Sequence, residues 1–251
     1  MTASAPASTY VPWRFPAPLL SSYMIFTAMI WAGAVVFTFA LTAFVSIWNE
    51  ITMSGWLLVG QAARWFVLGA VGHLGWVMFE LYLTHGRTRR AFYREALPFI
   101  GVFALCTAAL YTITFPIEAG YYALFGWQHG FGEEALYASA FDLPMIALES
   151  ALVFLMWGAG GFFVTTAWYR NTLLGTLAIV LGLACVVISS IALGERDGPA
   201  VLLLDILPVL SRPDGAPNMM AAIIVHLAMT AGFLALSWLW LRDTPVHGKS
   251  E

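Results

Sequence analysis

Very little of this sequence is charged. Eleven Lys and Arg and fourteen Asp and Glu stand among 251 residues, 10% of the chain against 61% hydrophobic. Soluble domains carry about 25% charge, so the deficit excludes an ordinary soluble fold. Cysteine is scarce too: Cys106 and Cys185 both lie in apolar runs, without the spacing of a zinc site or a redox pair, and read as packing residues. No Gly-x-x-x-x-Gly-Lys-[Ser/Thr] phosphate loop occurs, since the one Gly-Lys-Ser, at Gly248–Ser250, has Asp243 where the upstream glycine belongs. ATP hydrolysis by a phosphate loop of its own is therefore excluded. The strict apolar/polar alternation of barrel strands is also missing. The polar start MTASAPAST lacks basic residues and leads into an apolar run too long for a signal-peptide core, so no cleaved signal is expected.

What the chain does have is long apolar runs. Six of them, at about 21–48, 57–84, 97–117, 145–168, 172–194 and 218–241, reach the ~20 residues that cross a hydrocarbon core of ~30 Å at 1.5 Å rise per residue. Lipid offers no hydrogen-bond partner to a backbone amide, so these are helices. The expected fold is all-α: one membrane domain over 1–251, with an N-terminal segment 1–20, a six-span bundle 21–241 and a tail 242–251. The placement of charge orients it. With both termini in the cytoplasm, the inner side collects Arg14, Arg87, Arg89, Arg90, Arg94, Arg170, Arg242 and Lys249, and the outer side receives most of the acids. The positive-inside rule favours that arrangement, with the plasma membrane as the expected location.

Four of the eleven basic residues fall in one stretch between the second and third spans, THGRTRRAFYREALP at 84–98. Arginines beside a span can be simple anchors on anionic lipid headgroups. The spacing suggests more. Arg87, Arg90 and Arg94, at i, i+3 and i+7, would share one helical face, with Phe92 turned to apolar surface. Gly86 would set the helix off, Thr88 would cap it, and Pro98 would bound it by restricting Leu97. The reading is a short amphipathic helix that presents a contact surface to a cytoplasmic partner.

The motif His85 to Phe92, HGRTRRAF, after a long second span in a six-span chain with a bulky external segment before the last span, resembles the permease subunits of the type-2 export class of ATP-binding-cassette transporters, especially divergent actinobacterial members. The resemblance implies that Gly86, Arg87, Thr88, Arg89, Arg90, Phe92, Arg94 and Glu95 belong to a coupling helix docked on an ATPase subunit. It implies further a second permease copy or paralogue as partner, with ATP and Mg on the ATPase and no cofactor in this chain. Membrane lipid is an expected neighbour and nucleic acid is not. The amphipathic connector helix that precedes the first span in that family is interrupted here by Pro12, Pro16 and Pro18.

Between spans five and six, an apolar core from Val201 to Leu210 is too short to cross a bilayer and reads as a re-entrant or interfacial piece. By the resemblance it is an outer gate that includes Leu203, Asp205 and Pro208. The loop at 118–143, with Trp127, His129, Glu133 and Glu134, reads as a further outer lid whose acids are solvated loop charges. Within the spans, His73, His226, Glu149 and Glu80 would be costly against lipid. Glu149, His226 and His73 are candidates for a pathway or subunit interface, while Glu80 lies within reach of the basic segment. Gly158, Gly160 and Gly161 permit close helix approach. Three rival classes are weighed beside the permease. A haem protein would use His73 and His226 as axial ligands. A membrane hydrolase would need a nucleophile beside a base, whereas Thr165, Thr166, Ser189 and Ser190 read as isolated hydroxyls bonded to their own helix backbone. A non-transporting accessory protein would keep only the docking surface.

Overall fold

The computed structural model describes residues 17–131, 136–194 and 218–244. The expected outer gate at Leu203, Asp205 and Pro208 lies outside these residues, as do Glu133 and Glu134. Among the described residues the regular secondary structure is helical, apart from an isolated bridge between Met53 and Gly130. Helix α1 is Ala17–Val45 and α2 is Trp56–His73. A π-helical segment, Leu74–Met78, joins α2 to α3, Phe79–Thr84. Then follow α4, Arg89–Phe125, α5, Leu143–Arg170, α6, Thr172–Ala192, and α7, Met219–Arg242. Counting α2 to α3 as one, six of these are long and apolar enough to cross a membrane, as the sequence predicts.

Helix α5 is the hub. It packs on α2, α4, α6 and α7, whereas α1 leans on α4 from the periphery. Helices in lipid gain nothing from hiding apolar surface from water, so close packing must hold them, and small residues permit it. The glycines of α5 do this in two directions. A Cβ on Gly161 would fall within 2.9 Å of the Leu68 carbonyl carbon, so α2 crosses here backbone to backbone. Gly158 meets Val67 and Val71 of the same helix, while Gly160 faces Phe233 of α7. On the other side of the bundle an aromatic cluster fills the core, with Trp31 5.8 Å from Trp56 and Tyr111 5.1 Å from Phe115, ring centre to ring centre.

Two features depart from the sequence reading. Pro98 does not end a helix, because α4 runs unbroken through both Pro98 and Pro116 for 37 residues. Each proline forfeits one backbone hydrogen bond. Phe99, Ile100, Phe103 and Phe115 carry the buried stripe onward, and packing along that stripe outweighs the two losses. The third span thus extends eight residues past its expected end at 117. The second departure is the π-helical turn after His73. It lies where Gly72 and Gly75 press against α5, Gly75 against the Thr165 hydroxyl and the Phe162 ring. Thr165 turns that hydroxyl back onto the Gly161 carbonyl at 2.9 Å.

Candidate functional site

The turn between the second and third spans is built as Gly86 and Thr88 foretell. Gly86 adopts φ +72°, which a side chain would resist, and closes α3: its amide donates to the Leu83 carbonyl at 3.0 Å and the Arg87 amide to Tyr82 at 3.0 Å. Two residues later Thr88 caps α4, its hydroxyl accepting from the Ala91 amide at 3.1 Å. Helix end and helix start therefore share a five-residue hinge, Thr84 to Thr88, with no slack in it.

The arginines do not form one face. Arg87 precedes the cap and lies outside the helix, where its guanidinium donates to Glu95 Oε1 at 2.7 Å and stands 5.7 Å from the Tyr82 ring centre. Tyr82 donates to the other Glu95 oxygen at 2.8 Å. Glu95, not the exposed Glu80, is thus the carboxylate that serves the basic segment. Arg89 reaches across to α7 and donates to the Thr244 carbonyl at 2.6 Å. Phe92 is buried, as expected, among Phe79, Tyr82 and Phe162. Arg90 and Arg94 are exposed and turn to a groove between α4 and α7.

At the opposite end of the bundle stands a polar cluster that the sequence does not announce. Glu118 belongs to α4, not to a loop, and is fully buried. Its carboxylate accepts from the Trp56 amide at 3.0 Å, from the Ser54 hydroxyl and from His129 Nε2 at 2.8 Å. The Trp56 amide is the first of α2, so the carboxylate meets that helix at its positive end. Tyr122, one turn on, accepts from the Gly55 amide at 3.0 Å and donates to the Met53 carbonyl at 3.2 Å. Gly126, at φ +68°, turns the chain back so that His129 returns to the helix it has just left. The cluster ties the 46–55 connection, the end of α4 and the 126–131 segment together. Its chemistry is that of a clamp: the carboxylate lies between hydroxyl and imidazole, so the serine has no imidazole beside it.

The intramembrane histidines are separate. His73 lies on the bundle surface and bonds the Tyr23 hydroxyl of α1. His226 is fully buried between α6 and α7. With Nδ1 donating to the Ala222 carbonyl at 2.7 Å, Nε2 accepts from the Ser189 hydroxyl at 2.7 Å. Both ring nitrogens are thereby committed, and the two histidines do not converge on a shared ligand as axial haem coordination requires. Ser189 and His226 pair a serine hydroxyl with an imidazole, but both are buried, so the bond holds α6 to α7. Glu149 is half-buried near the start of α5 and does not stand without a partner. Glu149, His226 and His73 thus occupy three different places.

Six apolar spans, one of them a glycine-bearing central helix, define a multi-pass membrane protein. Compared with known protein families, with curated proteins and with solved structures, the chain matches none.

Proposed function

We propose that the protein is the membrane-embedded subunit of an ATP-driven exporter, which takes a separate ATPase at its basic end and pairs with a second membrane subunit. The observation that carries this reading is the Thr84–Thr88 hinge. It projects between the second and third spans, where the resembled permeases dock their ATPase, and it is stiff. The αL glycine, the Thr88 cap and the Arg87–Glu95–Tyr82 network leave no free link between hinge and helices. A push on this turn therefore moves α3 and α4 as levers, and α5, packed on both α2 and α4, passes the motion to the rest of the bundle. In this reading coupling needs no separate short helix, because the hinge and the first turns of α4 serve instead.

The ion pair itself supplies the test. R87E/E95R exchanges the partners, which keeps an internal pair but reverses the sign at the tip of the hinge. Co-expressed with the proposed ATPase partner, the wild-type chain is expected to retain that subunit through purification, and the exchange variant to lose it at least tenfold. A charge-assisted contact is worth about 1.5–3 kcal/mol, roughly ten- to a hundredfold in affinity. Retention equal to wild type at every salt concentration, or no retention by the wild type, sinks the reading.

Orientation is tested separately. In a background without Cys106 and Cys185, cysteines placed at Thr88 and Ser250 are expected to resist a membrane-impermeant reagent in intact cells, and cysteines at Glu133 and Asp214 to react. Labelling of Thr88 from outside would reverse the assignment.

A further inference from the structure

The groove that receives Arg90 and Arg94 has a composition that the exporter reading does not use. Its lining is Arg90, Tyr93 and Arg94 from the first turns of α4, with Ala235, Trp238 and Leu239 from the last turns of α7. Four of six residues are apolar or aromatic, and the two charges have the same sign. The walls are fixed: Tyr93 donates to the Leu234 carbonyl at 2.9 Å, its ring lies 5.1 Å from that of Trp238, and Arg89 pins the end of the groove to Thr244. The other arginines nearby are spent, Arg87 on Glu95 and Arg242 on Asp243. Among the described residues neither Arg90 nor Arg94 has a carboxylate or a carbonyl partner. Two unpaired guanidinium groups over an apolar slot call for an anion that carries apolar substance with it.

Depth decides what that anion is. At 1.5 Å per residue, Arg94 stands ~8 Å from the start of α4, while Leu239 and Ala235 stand ~5 and ~10 Å from the end of α7. Headgroups and their linkage to the chains fill the outer ~5–8 Å of each leaflet, so with the start of α4 and the end of α7 set at the membrane surface the guanidinium groups come to phosphate level and the apolar wall continues beneath them. Trp and Tyr at this level are characteristic of the membrane interface. We infer that the groove between α4 and α7 is a binding site for one anionic phospholipid, with Arg90 and Arg94 on the phosphate and Trp238, Ala235 and Leu239 along an acyl chain. An inorganic anion would use only the charges and leave the apolar wall empty.

Native mass spectrometry of the detergent-purified chain, titrated with phosphatidylglycerol, reads the site directly. The wild type is expected to hold a single saturable lipid adduct. R90Q/R94Q should weaken it about tenfold or more, and W238A severalfold. R170Q, which removes a positive charge from the same end of the bundle, should leave it unchanged. Both arginines are exposed, so R90Q/R94Q is expected to keep the wild-type melting temperature in lipid-free detergent, which separates lost binding from lost fold. Four results overturn the proposal: equal adducts in wild type and R90Q/R94Q, an equal loss in R170Q, equal retention of phosphatidylcholine, or displacement of the lipid by millimolar inorganic phosphate. None of these readouts involves an ATPase, so the lipid site and the docking hinge stand or fall apart.

Discussion

Gly161→Val is expected to destabilise the bundle strongly, while Gly160→Ala, one residue earlier on the same helix, is expected to leave it intact. The difference lies in what the new carbon meets. At Gly161 a Cβ runs into the backbone of Leu68, 2.9 Å from its carbonyl carbon and 3.1 Å from its Cα, and a helix backbone cannot turn aside as a side chain can. α2 must then retreat from α5 along the most extensive contact in the molecule. Overpacking of a tight core costs about 1–3 kcal/mol and occasionally more, and a branched side chain against backbone belongs at the upper end. At Gly160 the nearest atom is Cε2 of Phe233 at 3.5 Å, an ordinary contact, and alanine favours the helix by up to ~1 kcal/mol over glycine. Thermal melting of the two variants in one detergent decides the matter. Equal melting temperatures would mean that α2 and α5 do not cross at Gly161.

The second large effect is expected at Glu118. Replacing it with alanine strips the acceptor from three donors: the buried Trp56 amide, the buried Ser54 hydroxyl and the partly buried His129 Nε2. Each buried donor left unsatisfied costs about 1–3 kcal/mol, so Glu118→Ala should lose roughly 3–5 kcal/mol of stability. Glu118→Gln keeps one carbonyl oxygen but turns an NH2 towards groups that are themselves donors, and should lose about half as much. Glu80→Ala, at an exposed carboxylate on α3, is the control and should change little. Protease sensitivity between Gly126 and Asp142 should rise in step, since Glu118 is what holds His129 down. Glu118→Ala as stable as the control would show that the carboxylate does not clamp the three segments.

The spans were legible because the signal for each is a sum over some twenty residues, and one misplaced polar group does not alter a sum. Gly86 and Thr88 were legible for a different reason, since a left-handed turn and a helix cap are decided by the residue itself and its two or three neighbours. Pro98 misled because its local preference is real but is outvoted by the stripe from Phe92 to Phe103, whose burial depends on α5 and appears nowhere near Pro98 in the sequence. The arginine face failed by one residue: with the cap at Thr88, Arg87 falls outside the helix and the i, i+3, i+7 count does not apply to it. The Glu118 clamp was out of reach. Glu118, Ser54 and His129 come from three segments, and only the turn at Gly126, eight residues past Glu118, hinted that His129 comes back to α4. Arg90 and Arg94 read as partner-facing because their spacing sets them on one helical face; Trp238, 144 positions beyond Arg94, supplies the apolar wall.

The central place of α5 also sets a timetable. It is the fourth span to be synthesised, and α2 and α4 are made before the helix on which they chiefly pack. At ~5–20 residues per second, a ribosome needs roughly 2–9 s to travel from Phe125 to Arg170. For that interval the nascent chain is three loosely associated helices in lipid, with the face of α2 that meets the α5 glycines uncovered and the Glu118 clamp already within reach of closing, because all its parts precede residue 132. The far end of the molecule can therefore lock while its middle is still open. α5 then enters between helices whose spacing at that end has already been fixed.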